Sequence, residues 1–397
     1  MGNSLRALYI STTVNYVAPV SAMQAYFDEI LVFAPWSPSL KLVNLLRLLK
    51  IRRLSRILFA RILTFKPADH VQLGWLGIGQ FLPPLWNHLK LDRFISIRLI
   101  GKITQKLYLK KIQSRASDFD LIIIPSDLID LLDRCSFPTT KVAIEIRWHH
   151  LSQNELRPPL CLDFPTDGIV ANSDFDLKLA INQAKIDAII TYSEFAADSY
   201  RKNGVHPEKT FVVPITIPEN IDASVLSENP SREKALLYVG RSVPDKGLDL
   251  AIQIAVSTGV DITVVGSMAD NVASWLKRFP NVTFLGILDK PSLQLEMMRH
   301  KVFLSTGIES FGIALVEALM LGMSVVGTKF VGAINWYGNL PQVFSSDTLD
   351  HEILCDLTLS ALASFGSCQN SIHDFRQVNA ILHWSNTIEK ILSLRQK

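Results

Sequence analysis

Between Ala235 and Gly327, short apolar runs alternate with helical patterns, and this alternation constrains the fold more than any other feature of the chain. Ala235–Val239, Asp261–Val265, Val282–Leu285, Val302–Ser305 and Val325–Gly327 are nearly continuous apolar stretches of strand length. Between them, Leu248–Ser257, Val272–Phe279, Ser292–Arg299 and Gly312–Leu321 carry apolar residues at helical spacing. A strand that is apolar on successive residues has to be covered on both faces. Each strand is followed by a helix, so the covering layers are helices and the sheet is parallel. In such sheets ligands bind beyond the carboxyl ends of the strands.

The first half repeats the scheme less cleanly. Strands are expected at Ala7–Ser11, Ile30–Phe33, Leu121–Pro125, Val142–Ile146, Ala188–Tyr192 and Phe211–Pro214. Helices are expected near Val20–Asp28, Leu40–Leu63, Ile95–Gln113, Phe175–Gln183 and Glu194–Asn203. A single core seldom grows past about 250–300 residues, so 397 residues imply two domains. Pro214–Ser231, rich in Pro, Asn and Ser, reads as the linker. The division is then 1–215, 216–375, and a last segment 376–397. In that segment Trp384, Ile388, Ile391 and Leu392 line one face of a helix expected to pack back on the first domain. The fold class is α/β, with two Rossmann-like doubly wound domains.

Composition excludes several function classes. Cys135, Cys161, Cys355 and Cys368 are scattered and form no Cys-x-x-Cys pair, which argues against a disulfide framework or a zinc site. The run from Ala7 to Ser11, broken at once by Thr12, Thr13 and Asn15, reads as a strand rather than a signal peptide. Met1-Gly2 is not followed by the Ser or Thr that myristoylation needs, since Arg6 stands there. The longest uncharged stretch, Val71–Leu89, contains Pro83-Pro84 and three glycines and is no spanning helix. A cytoplasmic location is the expectation.

Two motifs carry chemistry. In the first, the strand ending at Val239 runs into Gly240-Arg241, and Lys246-Gly247 opens the next helix. Glycine lets a ligand approach the backbone. An Arg fork and a Lys point charge at a strand's carboxyl end suit a diphosphate. Taken alone, these cations read equally well as an ordinary surface turn. In the second motif Glu309 and Glu317 stand eight positions apart, with Ser310-Phe311-Gly312 between them and an apolar helix running to Gly322. The helix N-terminus attracts phosphate, and a carboxylate one turn further in can accept hydrogen bonds from a sugar diol. Phosphate and sugar together point to a nucleotide-sugar site.

The pair resembles glycosyltransferase family 4, of the GT-B architecture, in which two Rossmann-like domains face a cleft. The likeness rests on Gly240-Arg241, Lys246-Gly247, and Glu309 to Glu317 with Phe311-Gly312; it extends from about Ile186 to Thr328 and includes Ser193-Glu194. The resemblance implies a retaining hexosyl transfer from a nucleotide diphosphate-sugar, UDP- or GDP-linked, with no cofactor and no metal. It implies that Arg241 and Lys246 hold the diphosphate and that Glu309 binds the donor sugar's hydroxyls. It further implies that Gly240, Ser310, Phe311, Gly312 and Ile313 contact the donor and that Glu317 takes the ribose diol. The acceptor side departs from the family. The loop Thr12–Tyr16 lacks glycine, and the strand Val142–Ile146 is followed by Arg147-Trp148-His149-His150. His149 is the candidate there, with Arg147 and His150 as alternatives. Ser267-Met268 stands where the family often has Asp-Gly.

Charge suggests what the acceptor is. Residues 1–115 hold 17 Lys and Arg against 4 Asp and Glu, while the rest holds 23 against 33. Ile30–Ala68 has eight cations, among them Lys41, Arg47, Lys50, Arg52, Arg53, Arg56 and Arg61, and no acid. A second stretch carries Lys102, Lys106, Lys110, Lys111 and Arg115. Basic amphipathic helices lie on anionic membranes, at about 1 kcal/mol per cation. An anionic membrane surface met by residues 38–66 and 98–115, and a lipid or lipid-linked acceptor, follow as expectations. The protein would then sit peripherally on the cytoplasmic membrane face. The competing acceptors are a soluble glycan, a protein, or nucleic acid stacked on Trp36, Phe59, Phe65, Trp75 and Trp86. The Leu and Ile between those aromatics suit acyl chains better. A binding protein that has lost transfer is the alternative from another class.

Overall fold

In a computed structural model the described residues are 4–10, 17–34, 70–75, 118–133, 137, 139–150, 156, 161–165, 173–215, 231–366 and 377–394. The basic stretches 38–66 and 98–115, the loop after the first strand, Cys135 and Cys368, and most of the linker lie outside them.

The first sheet contains β1 (Arg6–Ile10), β2 (Glu29–Ala34), β3 (Val71–Trp75), β4 (Leu121–Pro125), β5 (Lys141–Glu145), β6 (Ala188–Thr191) and β7 (Thr210–Val212). Their order across the sheet is β3-β2-β1-β4-β5-β6-β7, and β1 to β6 pair in parallel. Its described helices are α1 (Val17–Met23), α2 (Ser173–Asn182) and α3 (Glu194–Arg201). β4 and β5 are buried on every residue, as a strand covered on both faces must be. β3 falls in the uncharged stretch that the sequence marked only as non-spanning. It is an edge strand, and Gln72 and Gly74 interrupt its apolar run.

The second sheet is built from β8 (Lys234–Val239), α4 (Leu248–Thr258), β9 (Ile262–Val265), α5 (Asp270–Leu276), β10 (Val282–Gly286), α6 (Lys290–Arg299), β11 (His300–Ser305), α7 (Ile313–Met320), β12 (Ser324–Thr328), α8 (Gly332–Tyr337), β13 (Val343–Ser346) and α9 (His351–Ala363). All its pairs are parallel, in the order β10-β9-β8-β11-β12-β13. Leu236, Tyr238, Leu248, Ile252, Val264, Leu304, Val326 and Leu354 form its core, each fully buried aliphatic stabilising by about 1.5–3 kcal/mol. Gly259, left-handed at φ 66, stops α4. Asp350 caps α9 by accepting from the Glu352 and Ile353 amides at 2.9 and 3.1 Å.

By contacts the chain divides into two units. One takes in the described parts of Met1–Ile146 with Asp174–Ile190 and the chain from Ala380 onward; the other takes in Arg147–Ser173 and Thr191–Asn379. The segment around Cys161 belongs with the second unit for a visible reason. Trp275 donates to the Leu162 carbonyl at 2.9 Å and meets Phe164 edge-on at 5.1 Å, and buried Asp249 accepts from the Cys161 amide at 3.1 Å. The last helix, α10 (Gln377–Ser393), buries Trp384, Ile388 and Ile391 of the face read from the sequence, and Leu392 is half-buried.

Each sheet grows from a central strand outward on one side and then on the other. Connections therefore leave to opposite faces where the order reverses, between β1 and β4 and between β8 and β11. Such a point opens a crevice at the strands' carboxyl ends, the usual ligand position in this architecture.

Candidate active site

At the second reversal point both chemical motifs arrive together. β8 ends at Gly240, whose amide continues the ladder to the Val265 carbonyl at 3.0 Å. The chain passes β9 so closely that a Cβ on Gly266 would lie 1.8 Å from the Gly240 carbonyl oxygen. A single turn, Pro244–Lys246, leads to Gly247 at φ 68, which starts α4. A side chain at Gly247 would strike the Thr306 carbonyl at 2.2 Å, so glycine is the residue that lets β11 and this turn touch. The contact is laced by Thr306 Oγ1 donating to the Gly247 carbonyl at 2.7 Å and the Ile308 amide donating to the Asp245 carbonyl at 2.8 Å. From below, the buried Tyr238 hydroxyl donates to the Lys246 carbonyl at 2.9 Å. The backbone that carries Lys246 is thus held at three successive residues.

The loop after β11 is held as firmly. The Glu309 amide donates to the Phe330 carbonyl, and the Gly332 amide returns to the Glu309 carbonyl, both at 2.9 Å. Ser310 is gripped twice: its carbonyl accepts from Ser193 Oγ at 2.6 Å, and its hydroxyl donates to the Arg147 carbonyl. Phe311 is buried, and Gly312 at φ 99 turns the chain into α7. The first amides of α7 have no acceptor within the helix and carry its partial positive charge. Ile313, the first helical residue, is exposed.

Because β8 and β11 are hydrogen-bonded neighbours, side chains leaving their carboxyl ends meet. Lys246 Nζ lies 2.7 Å from Glu309 Oε2, with the two side chains 21% and 25% exposed. Arg241, the residue after Gly240 at the end of β8, is exposed. Glu317, one turn further along α7, lies 3.6 Å from Lys290 Nζ at the start of α6. Burial holds the Glu317 carboxyl above the usual carboxylate range, and Lys290 offsets part of that rise. Among the described residues no group of three His, Cys, Asp or Glu side chains is arranged to hold a metal ion.

The structure therefore brings Gly240, Lys246, Glu309, Ser310, Phe311, Gly312 and Ile313 to the adjoining carboxyl ends of β8 and β11, with Arg241 in the turn after β8 and Glu317 further along α7. Of the acceptor-side candidates, Arg147 enters through its carbonyl, which receives the Ser310 hydroxyl. His149 packs its ring on Phe195 at 5.6 Å, and Phe195 in turn meets Phe330 at 5.7 Å, beside the strand segment that pairs with Glu309. His150 is set differently: its ring meets Tyr200 edge-on at 5.7 Å and its amide donates to Ser199 Oγ.

Sequence reasoning missed Tyr238, Thr306, Gly332 and Lys290 as parts of this site, and saw Ser193 only as a helix start. A glycine two residues beyond Phe330 was visible, but its partner Ser310 lies on another loop.

Residues 223–337 match a family model described as glycosyl transferases group 1, and this stretch contains Gly240, Arg241, Lys246 and the segment Glu309–Glu317. Comparison with curated proteins gives no sequence match. Among solved structures, Anabaena HepE in complex with UDP aligns over 98% of this chain and 100% of its own, with TM-score 0.59 and 16% identity. The OtsA apo structure aligns over 99% and 100%, with TM-score 0.61 and 13% identity. WaaG, a glycosyltransferase involved in lipopolysaccharide biosynthesis, aligns over 98% and 96%, with TM-score 0.50 and 12% identity. The likeness shows the fold, a two-domain Rossmann-like α/β architecture of the GT-B kind.

Proposed function

We propose that the protein is a retaining glycosyltransferase of family 4 that moves a sugar from a nucleotide diphosphate-sugar to a lipid or lipid-linked acceptor at a membrane surface. The observation that carries the reading is the 2.7 Å pair of Lys246 and Glu309 at the reversal point of the second sheet, beside the start of α7. A diphosphate arriving there competes for Lys246. Its departure from Glu309 frees that carboxylate to accept hydrogen bonds from the donor sugar. Arg241 adds a second cation, and the backbone amides at Ser310, Phe311, Gly312 and Ile313 face the phosphates and sugar. Glu317 takes the ribose diol. As the bond to the sugar breaks, negative charge grows on the leaving diphosphate. Fixed cations and helix amides that already point there stabilise the transition state without reorganising. His149 stands on the acceptor side. No metal ion and no cofactor take part, and turnover is expected to persist in a chelator.

Two neighbours support the chemistry: HepE has been captured with UDP and with UDP-glucose, so a UDP-sugar is the first donor to try. WaaG's part in lipopolysaccharide biosynthesis suits a lipid-linked acceptor, as do the basic stretches 38–66 and 98–115. The protein would work on the cytoplasmic face of the membrane. Among the described residues no helix is long and apolar enough to cross it.

Donor hydrolysis by the purified protein tests the reading, after a thermal-shift panel of nucleotide sugars has picked the donor. Lys246→Ala and Glu309→Ala should each lower turnover by about 100- to 1,000-fold. Full turnover in both variants sinks the assignment. Sedimentation with vesicles containing anionic lipid, but not with neutral vesicles, tests the membrane half; retention only by nucleic acid with a steep salt dependence would replace it.

A further inference from the structure

Lys290 is in an odd place for a lysine. It is the first residue of α6, whose cap is Asp289, accepting from the Ser292 amide at 3.1 Å. A cation in the first turn opposes the helix dipole, so its charge is unfavourably placed for α6. No acidic residue stands in that first turn to offset it. Its charge is instead directed across the fold to Glu317, in the middle of α7. The separation of 3.6 Å is a Coulombic contact rather than a tight hydrogen bond, and it engages Oε1. Among the described residues Oε2 makes no hydrogen bond. A carboxylate so placed keeps acceptor sites open.

We infer that Lys290 is a positioning residue for the nucleotide: by facing Glu317 from the start of α6 it holds that carboxylate oriented for a ribose 2′,3′-diol. This rests on the donor-site reading above. Burial works against ionisation of Glu317, and Lys290 is the one charged group acting on it from the described residues. With Lys290 neutralised, burial acts unopposed and Glu317 takes up a proton at higher pH. The nucleotide would then bind more weakly, and increasingly so as the pH falls. The Lys290 side chain is about half exposed, 48%, so its removal opens no cavity in the core.

The test is calorimetric titration of the full chain with UDP, GDP, ADP and TDP, at about pH 6 and about pH 8. Whichever diphosphate binds the wild type is then measured with Lys290→Met and Lys290→Arg. Lys290→Met should weaken binding by about 3- to 10-fold at the lower pH and clearly less at the higher one, with Lys290→Arg close to wild type. The same comparison with the 2′,3′-dideoxy analogue separates positioning from direct contact: the wild type to Lys290→Met ratio should fall to near one. A pH-independent loss that persists with the dideoxy analogue would mean that Lys290 touches base or phosphate itself, and would overturn the inference. Equal affinity of wild type and Lys290→Met overturns it too, while leaving the donor site standing. Binding of none of the four diphosphates by the wild type removes the donor site first, and the inference with it.

Discussion

Gly332→Ala tests whether the loop that carries Glu309 is held in place by close packing. A Cβ on Gly332 would lie 2.0 Å from the Ser310 carbonyl oxygen, 2.5 Å from Ser193 Oγ and 2.6 Å from Ser193 Cβ. The nearest of these is backbone and cannot swing away. The alanine methyl has to push the Ser310 carbonyl aside, which breaks its 2.6 Å hydrogen bond from Ser193 and strains the Gly332 amide bond to Glu309. Overpacking of this kind costs about 1–3 kcal/mol, and the lost hydrogen bond about 1 more. In a domain of roughly 150–250 residues a loss of about 2–4 kcal/mol lowers Tm by roughly 5–15 °C. The same displacement moves Glu309 and Ser310 by a good part of an ångström, so donor turnover should fall about 100-fold below wild type at a temperature where the variant stays folded. Thermal unfolding and donor hydrolysis read the two effects on one preparation. Gly259→Ala is the control: at φ 66 with nothing within 4 Å of its Cβ, it pays only left-handed backbone strain of about 1–2 kcal/mol and keeps its turnover. Wild-type Tm and turnover in Gly332→Ala, or an equal loss of turnover in Gly259→Ala, would refute the reasoning.

Three further outcomes are expected. Tyr238→Phe deletes the hydroxyl under the Lys246 carbonyl; it should cost about 1 kcal/mol in denaturant unfolding and lower turnover without raising donor KM by the same factor. Burial, helped by Lys234 and Arg232 and opposed by Glu296, pushes the His300 imidazole down to about 4. Its contribution is therefore present above the ordinary histidine value and is lost as the pH falls through about 4, worth about 3 kcal/mol in all. His300→Gln should flatten the stability curve between those limits, and an unchanged curve would show that His300 does not titrate there. Glu317 is held high by burial, so it stabilises the donor-free fold at low pH and loses that contribution as the pH rises through its raised value. Glu317→Gln should accordingly raise Tm near neutral pH while weakening nucleotide binding.

Much of this was legible in the chain. Buried parallel strands must be apolar on successive residues, so β4, β5, β8, β9, β11 and β12 could be read directly, and the helices between them followed from spacing. The elements that escaped lie where this pressure is weak. β3 and β13 are edge strands, and β13 is partly exposed. α8 is six residues, shorter than any period can reveal, and α9 begins at the cap Asp350, a signal present in the sequence but not used.

The residues proposed for the donor side were legible for a different reason. Gly240, Lys246, Gly247, Glu309 and Glu317 each sit at a strand end or in the first turns of a helix. There the local chain alone sets which backbone groups and charges face outward, so motif and geometry coincide. What the tertiary structure decided is everything that depends on two such segments meeting. That Lys246 faces Glu309 follows from β8 and β11 being neighbours. That Ser193 and Gly332 clamp Ser310 follows from α3 and α8 converging on one loop. That Lys290 faces Glu317 follows from where α6 begins relative to α7. Those pairings span 63, 117, 22 and 27 residues of sequence. No local pattern encodes a contact over such distances, because it is the burial of the whole sheet that brings the strand ends together.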